Sequence, residues 1–340
     1  MVKLQFLIRS LCLASFSVAA VLPRSATPEC KNPVKRLEWR QMTTSQKKSY
    51  IDAVLCLTTK EAISGINGTV NRFDDHQAVH NKQTPYIHFV GHFILWHRYF
   101  VATYEKALRD ECGYTGGQPY WDWSLDGDAS DPQSTKPTKS PVFDPVTGFG
   151  GNGIRVVATP KQNPFNLTST GGGCVQDGPF VAPNFMVNYP GPPSCLRRDF
   201  IPAFLNTWTD PKLVENLLSQ PTYETFDHAL EGTPTFYKPN LHGSGHFGVG
   251  GILGQAGNAS NSPAEPLFYL HHGNIDHLYW MWQQKDLETR LSQVGGPVNR
   301  DDLSGPNVTL DFEVNMGKLA GSVPLRDLMD TEGGLLCYTY

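Results

Sequence analysis

Eleven histidines stand in two groups, with none elsewhere in the 340 residues. The first group is His76, His80, His88, His92 and His97; the second is His228, His242, His246, His271, His272 and His277. Neutral imidazole is a strong nitrogen donor near pH 7, and all-imidazole sets suit Cu, Zn, Fe or Ni. In LHGSGHFGVGG the four-residue step from His242 to His246 puts two rings on one helical face. Gly243 stands where the zinc-protease motif H-E-x-x-H needs its glutamate, which weighs against a hydrolase. His88 and His92 are the matching pair in the first group, whereas His88 and His97 fall on opposite faces of a continuous helix. If His88 and His97 share one ion, the chain must bend between them. Spacing alone leaves that choice open. Two sets of three imidazoles, with no carboxylate or thiolate completing either, point to small-molecule activation more than to structure.

Three helices stand out around these rings. Residues 44–57, TSQKKSYIDAVLCL, open with capping hydroxyls and place Tyr50, Val54 and Leu57 at helical spacing. Residues 93–110 put His97 on an apolar stripe with Phe93, Phe100, Val101, Tyr104 and Leu108, and the helix stops at Cys112-Gly113. A third helix starts after Pro263, with Pro266 in its first turn, and sets His272 in line with Phe268, Ile275, Tyr279 and Trp282. Residues 126–200 dissolve into Pro, Gly, Ser, Thr and Asn and read as a long loop region closed by Cys174 and Cys195. The tail over 306–340 alternates enough at Val308, Leu310, Phe312 and Val314 for a little strand. The 32 glycines and 26 prolines fit long irregular connections.

A net charge of −4 without a basic cluster excludes a nucleic-acid or anionic-membrane partner. Residues 1–20, with Lys3 and Arg9 ahead of LCLASFSVAA and small residues at Val18 and Ala20, read as a secretory signal peptide. No other stretch is long and apolar enough to span a membrane. Removing the leader removes Cys12 and leaves six cysteines, an even number that favours three disulfides among fifteen possible pairings. Sequons at Asn67, Asn166, Asn258 and Asn307 fit a secreted, N-glycosylated chain. Nothing in the sequence sets an oligomeric state.

HNKQTPYIHFVGHFILWHRYFVATYEKAL, QPYWDWS, HGSGHFGVGG and PAEPLFYLHHGNIDHLYWMWQ together resemble the tyrosinase family of type 3 copper proteins, nearest its secreted fungal short-chain polyphenol oxidases. The resemblance implies a mainly α fold: a four-helix bundle holding a dinuclear copper site, with long irregular loops and little β. It implies one catalytic domain over 21–340, without the C-terminal shielding domain of many relatives. The first copper would be held by His80, His88 and His97, which makes His92 a neighbour and overturns the i,i+4 choice. The second would be held by His242, His246 and His272, with His271 beside them. Asp276, one turn past His272, would orient a ligand imidazole. Glu231 would be the family's water-holding glutamate, and Phe247 would shape the entrance. Phe93, Phe268 and Phe247 would wall the phenol ring. Arg40 resembles the arginine contacted by the terminal Tyr338-Thr339-Tyr340.

The chain departs from the family in several places. No cysteine lies between 56 and 112, so the cysteine–histidine thioether of many relatives should be missing. Gly243 replaces an asparagine often found in monophenol hydroxylases. The bulky residue that covers the first copper in many plant enzymes has no match; its counted position is Ala259. The implied activity is therefore oxidation of small phenolic substrates, o-diphenols to o-quinones, by two copper ions and dioxygen, with weak monophenol hydroxylation at most. The alternatives are a tyrosinase or o-aminophenol oxidase of pigment or secondary-metabolite synthesis, and, from another class, a hemocyanin-like dioxygen carrier.

Overall fold

The computed structural model describes residues 30–232 and 240–340. The expected leader and Cys12 lie outside them. Helix α1 (Thr44–Leu57) begins with a reciprocal cap: Thr43 Oγ1 accepts from the Gln46 N–H, and Gln46 accepts from the Thr43 N–H. Helix α2 (Arg72–Gln83) carries His76 and His80, and periodicity did not announce it. Every residue from Arg72 to His80 is buried, so the helix has no solvent face to generate an amphipathic pattern. Its start is nonetheless written locally. Asn71 accepts from the Asp74 N–H at 2.9 Å, and Asp74 and Asp75 occupy the first turn.

Helix α3 (Phe93–Cys112) runs as expected and ends at Gly113, whose φ of 68° is left-handed. Four shorter helices follow: α4 (Pro202–Thr207), α5 (Pro211–Leu218), α6 (Tyr223–Glu231) and α7 (Leu241–Gly250). The last long one is α8 (Leu267–Gln284), where Pro266 is the N-cap. Helices α3 and α8 lie against each other through aromatic faces, with the Tyr104 and Tyr269 rings stacked at 3.5 Å. Trp39, Trp96, Trp121, Trp123 and Trp282 are all but inaccessible and fill the space around this pair. Apart from His228 on α6, the rings of the two histidine groups thus hang on α2, α3, α7 and α8 and on the segment between α2 and α3.

Extended structure is limited, among the described residues, to three two-stranded sheets. Val34–Lys35 pairs in parallel with Tyr338–Thr339, Gly153–Arg155 antiparallel with Gly172–Val175, and Glu313–Val314 antiparallel with Val323–Pro324. The last of these is the strand expected in the tail, and residues 126–200 are as irregular as their composition. The six cysteines pair as Cys30–Cys337, Cys56–Cys112 and Cys174–Cys195. No described helix is long and apolar enough to cross a membrane.

Two expectations are corrected here. Arg40 does not meet the terminal tyrosines: its guanidinium is taken by Glu38 and Asp126. Arg36 meets them instead, because the parallel pairing of Val34–Lys35 with Tyr338–Thr339 delivers it there. Its guanidinium lies 3.4 Å from the Tyr338 ring centre and donates to the Tyr340 hydroxyl at 3.2 Å. Asp276 is the hub of the same cluster. It accepts from Arg36, Arg98, Tyr338 and Tyr340, so its carboxylate ties the first and last described strands to α8 and is not spent on a ligand imidazole.

Candidate metal centre

His80 projects from α2, His97 from the first turns of α3, and His88 from the bent segment between them. Their nearest ring nitrogens lie within 4.8 Å of one another. The bend brings together what a straight helix would place on opposite faces. Each ring is aimed by a backbone carbonyl that can only accept: His80 Nδ1–H donates to Ser260 at 3.3 Å, His88 to Thr84 at 3.1 Å, and His97 to Phe93 at 2.9 Å. The proton is therefore on Nδ1, and each Nε2 keeps its lone pair. Nε2 of His80 and of His97 is buried without a hydrogen-bond partner. His92 is turned away: its Nε2 meets the Tyr86 carbonyl at 2.9 Å and its ring lies 4.5 Å from Phe312.

The second set converges more tightly. His246 Nε2 is 3.0 Å from His242 Nε2 and 3.2 Å from His272 Nε2. His246 Nδ1–H donates to the Ala256 carbonyl at 3.1 Å, which leaves its Nε2 as a donor to a cation. His271 lies as close as the others, but its nitrogens are committed. Nε2–H donates to the His242 carbonyl at 2.8 Å, and Nδ1 accepts from the Trp123 indole N–H at 3.2 Å. It has no lone pair left for a metal. Proximity alone would have counted it; hydrogen bonding removes it. Gly245 makes this contact possible, since a Cβ there would lie 2.2 Å from His271 Nδ1.

The two sets face each other. The His97 and His272 rings stack at 4.5 Å and 13°, and the His88 and His242 rings are 6.0 Å apart. Burial, then the neighbouring imidazoles, push His80, His97, His242 and His272 well below the usual histidine range. The same forces act on His246, while burial brings His88 down to about 4. All six rings are neutral near pH 7. The 3.0 and 3.2 Å from His246 Nε2 to the other two Nε2 atoms approach the roughly 3.3 Å expected for nitrogens ~2.0 Å from one tetrahedral ion. Neutral, desolvated imidazoles whose Nε2 atoms converge fit bound copper.

One cavity of about 430 Å³ opens on the site, lined by Glu231, Gly243, Phe247, His88, His242 and His246 among others. Phe89 lines it as well, whereas Phe93 and Phe268 do not. They are buried against the rings instead, 4.7 Å from His97 and 4.2 Å from His272. Ala259 is on the wall, so no bulky side chain arises there. Glu231 Oε2 accepts from the Phe89 N–H at 2.7 Å, while Oε1 is buried without a partner. Burial, with Asp227 adding to it, holds its carboxyl well above the usual range. Gly243 N–H is taken by Asn240 Oδ1 at 2.5 Å, and a Cβ at 243 would press Trp208 at 2.8 Å.

Sequence reasoning did not single out Trp123, although it sits in the QPYWDWS segment. Nor did it find the Ala256 and Ser260 carbonyls, since a backbone acceptor has no residue type to signal it. His76 is buried with its Nε2 unpartnered, but it belongs to neither three-ring set. His228 is exposed, and the His277 ring lies against Tyr120 and Tyr340.

Residues 70–285 match the family model described as the common central domain of tyrosinase. A tyrosinase of Aspergillus flavus is 35% identical over 97% of this chain and 87% of its own. An N-acetyl-6-hydroxytryptophan oxidase of Emericella nidulans is 30% identical over 96% of this chain and 98% of its own. A mutant polyphenol oxidase from Thermothelomyces thermophila superposes with a TM-score of 0.75 at 31% identity, over 91% of this chain and 88% of that one. With its mainly helical fold and clustered imidazoles, the chain belongs to the tyrosinase family and is a type 3 copper oxidoreductase.

Proposed function

We propose that this protein binds two copper ions and oxidises o-diphenols to o-quinones with dioxygen. The observation that carries the reading is the pair of three-imidazole sets facing each other at the floor of one cavity. His80, His88 and His97 would hold one ion, and His242, His246 and His272 the other. Bound copper supplies the dioxygen activation and the electron acceptance. The protein keeps six rings neutral and aims four of them, His80, His88, His97 and His246, by Nδ1–H···O=C bonds, which hold the ring proton away from the metal-facing Nε2. Walls contributed by Phe89, Phe247 and Ala259 receive the phenol ring and exclude water. Glu231 Oε1 is positioned to take a phenolic proton; its raised proton affinity makes it a stronger base than an ordinary carboxylate.

Diphenol is favoured over monophenol because the asparagine that would assist Glu231 is replaced by Gly243, and Trp208 fills the space such a side chain needs. A tyrosinase or o-aminophenol oxidase with the same centre is the second reading, supported by the names of the relatives. Secretion with N-glycosylation is also proposed, on three disulfides and on the exposure of all four sequon asparagines. The single catalytic domain is proposed to begin after the leader. Copper counting tests the ligand sets: His97→Ala and His272→Ala should each reduce bound copper from about two ions to about one. Two ions retained in either variant would contradict the assignment.

A further inference from the structure

The cavity mouth carries a guanidinium that the chemistry above does not use. Residues 295–308 form a hairpin in which Val298 N–H donates to Pro306 and Val308 N–H to Gly296, each at 3.0 Å. Its base is pinned to the segment that bears His88, since Gly91 N–H donates to the Pro297 carbonyl at 2.8 Å. The hairpin therefore holds its tip in fixed relation to the metal centre. Arg300 and Asp301 stand at that tip and line the cavity, and apart from Glu231 they are the only charged residues in its wall among the described residues.

The two charges are not equivalent. Asp301 is 81% exposed and Arg300 34%, and their one contact, Nε to Oδ1 at 3.6 Å, is loose. Among the described residues the guanidinium has no other ion pair, so its Nη groups remain available. Arg300, two-thirds covered on the cavity wall, and not the outward Asp301, is thus the charge that faces the inner cavity.

We propose that Arg300 is a carboxylate-binding subsite, and that the preferred substrates are o-diphenols bearing an anionic carboxylate on a short side chain. With the ring between Phe89 and Phe247, a carboxylate at the mouth can accept from the guanidinium, a charge-assisted contact that a neutral or cationic side chain cannot make. The volume of about 430 Å³ accommodates a ring with such a chain but not a large polycyclic phenol. The proposal rests on the cavity being the phenol site, and its test is built to separate the two.

The copper-loaded wild type, Arg300→Gln and Arg300→Lys are compared at low ionic strength in two measurements. The first is the ratio of kcat/KM for 3,4-dihydroxyphenylpropionate to that for dopamine. The second is calorimetric affinity for 3-phenylpropionate, which has no hydroxyl to oxidise. The wild type should favour the acid. Arg300→Gln should lower both the ratio and the affinity about three- to tenfold, with Arg300→Lys in between, and added salt should shrink the preference. An unchanged ratio and affinity in Arg300→Gln, or a wild type favouring dopamine, overturns the subsite and leaves the oxidase reading intact. Arg300-dependent phenylpropionate binding without turnover of any catechol supports the subsite and overturns the oxidase reading.

Discussion

At the scale of single residues, His271 and His272 make the clearest contrast. They are neighbours on α8, both buried, yet they have opposite roles. Trp123 and the His242 carbonyl saturate His271, while His272 Nε2 joins the convergent set. Sequence located the clusters because imidazole has a residue type; it could not divide them, because division depends on where hydrogen bonds go. Gly243 argues the same way from the opposite side. Gly243→Asn should destabilise the protein by about 1–3 kcal/mol in urea unfolding, because a Cβ there drives into Trp208 and Asn240. A gain in stability would show that Trp208 yields freely and that the space for an asparagine is already present.

At the scale of elements, two irregular segments do what helices alone cannot. The segment 84–92 bends His88 toward His97. Phe89, with a φ of 57°, is held there by Glu231, and Gly91 is held by the Tyr223 hydroxyl on its carbonyl at 2.8 Å. In this chain, which has no cysteine beside His88, those bonds fix the loop. The connection from α7 to α8 offers Ala256 to His246 and Ser260 to His80, so one short segment aims a ring of each set. Glu231 separates positioning from chemistry. Glu231→Gln keeps an acceptor for Phe89 and should leave unfolding within about 1 kcal/mol of wild type, whereas Glu231→Ala should lose about 1–3 kcal/mol. Both should lower kcat on the order of a hundredfold. Equal stability of the two variants would show that the Phe89 bond does not hold the segment. Helices α1, α3 and α8 were legible from apolar periodicity, whereas α2 was not, because complete burial of a polar stretch erases the pattern.

At the scale of the whole molecule, the centre is enclosed by a frame that ties the first and last described strands to its core. Arg36, Glu105, Arg98 and Asp276 form a buried, mutually paired cluster with Tyr338 and Tyr340, next to the Cys30–Cys337 bridge. The sequence suggested an arginine–tyrosine contact but chose Arg40, four residues late, because only the parallel pairing at Val34–Lys35 brings Arg36 to the tyrosines. Burial holds ten of the eleven imidazoles below their ordinary range, among them His76 and His92 at about 4 and His271 at about 3. Their folded values lie below the unfolded ~6.5, so the unfolded chain takes up protons first as pH falls. That stability is complete above about pH 6.5 and is lost progressively as pH falls toward the folded values. Asp227 and Glu231, held above the carboxylate range, work the other way, but two groups do not offset ten. The urea midpoint should therefore fall between pH 7.5 and pH 5; an equal or higher midpoint at pH 5 would contradict neutral, buried imidazoles.

The central claim, a dinuclear copper centre whose cavity favours o-diphenols, meets its most direct test in dioxygen uptake by the copper-loaded protein with catechol, tyramine and o-aminophenol side by side. The account predicts rapid uptake with catechol and at least about tenfold slower uptake with tyramine. No uptake with catechol, or uptake with tyramine as fast as with catechol, would contradict it.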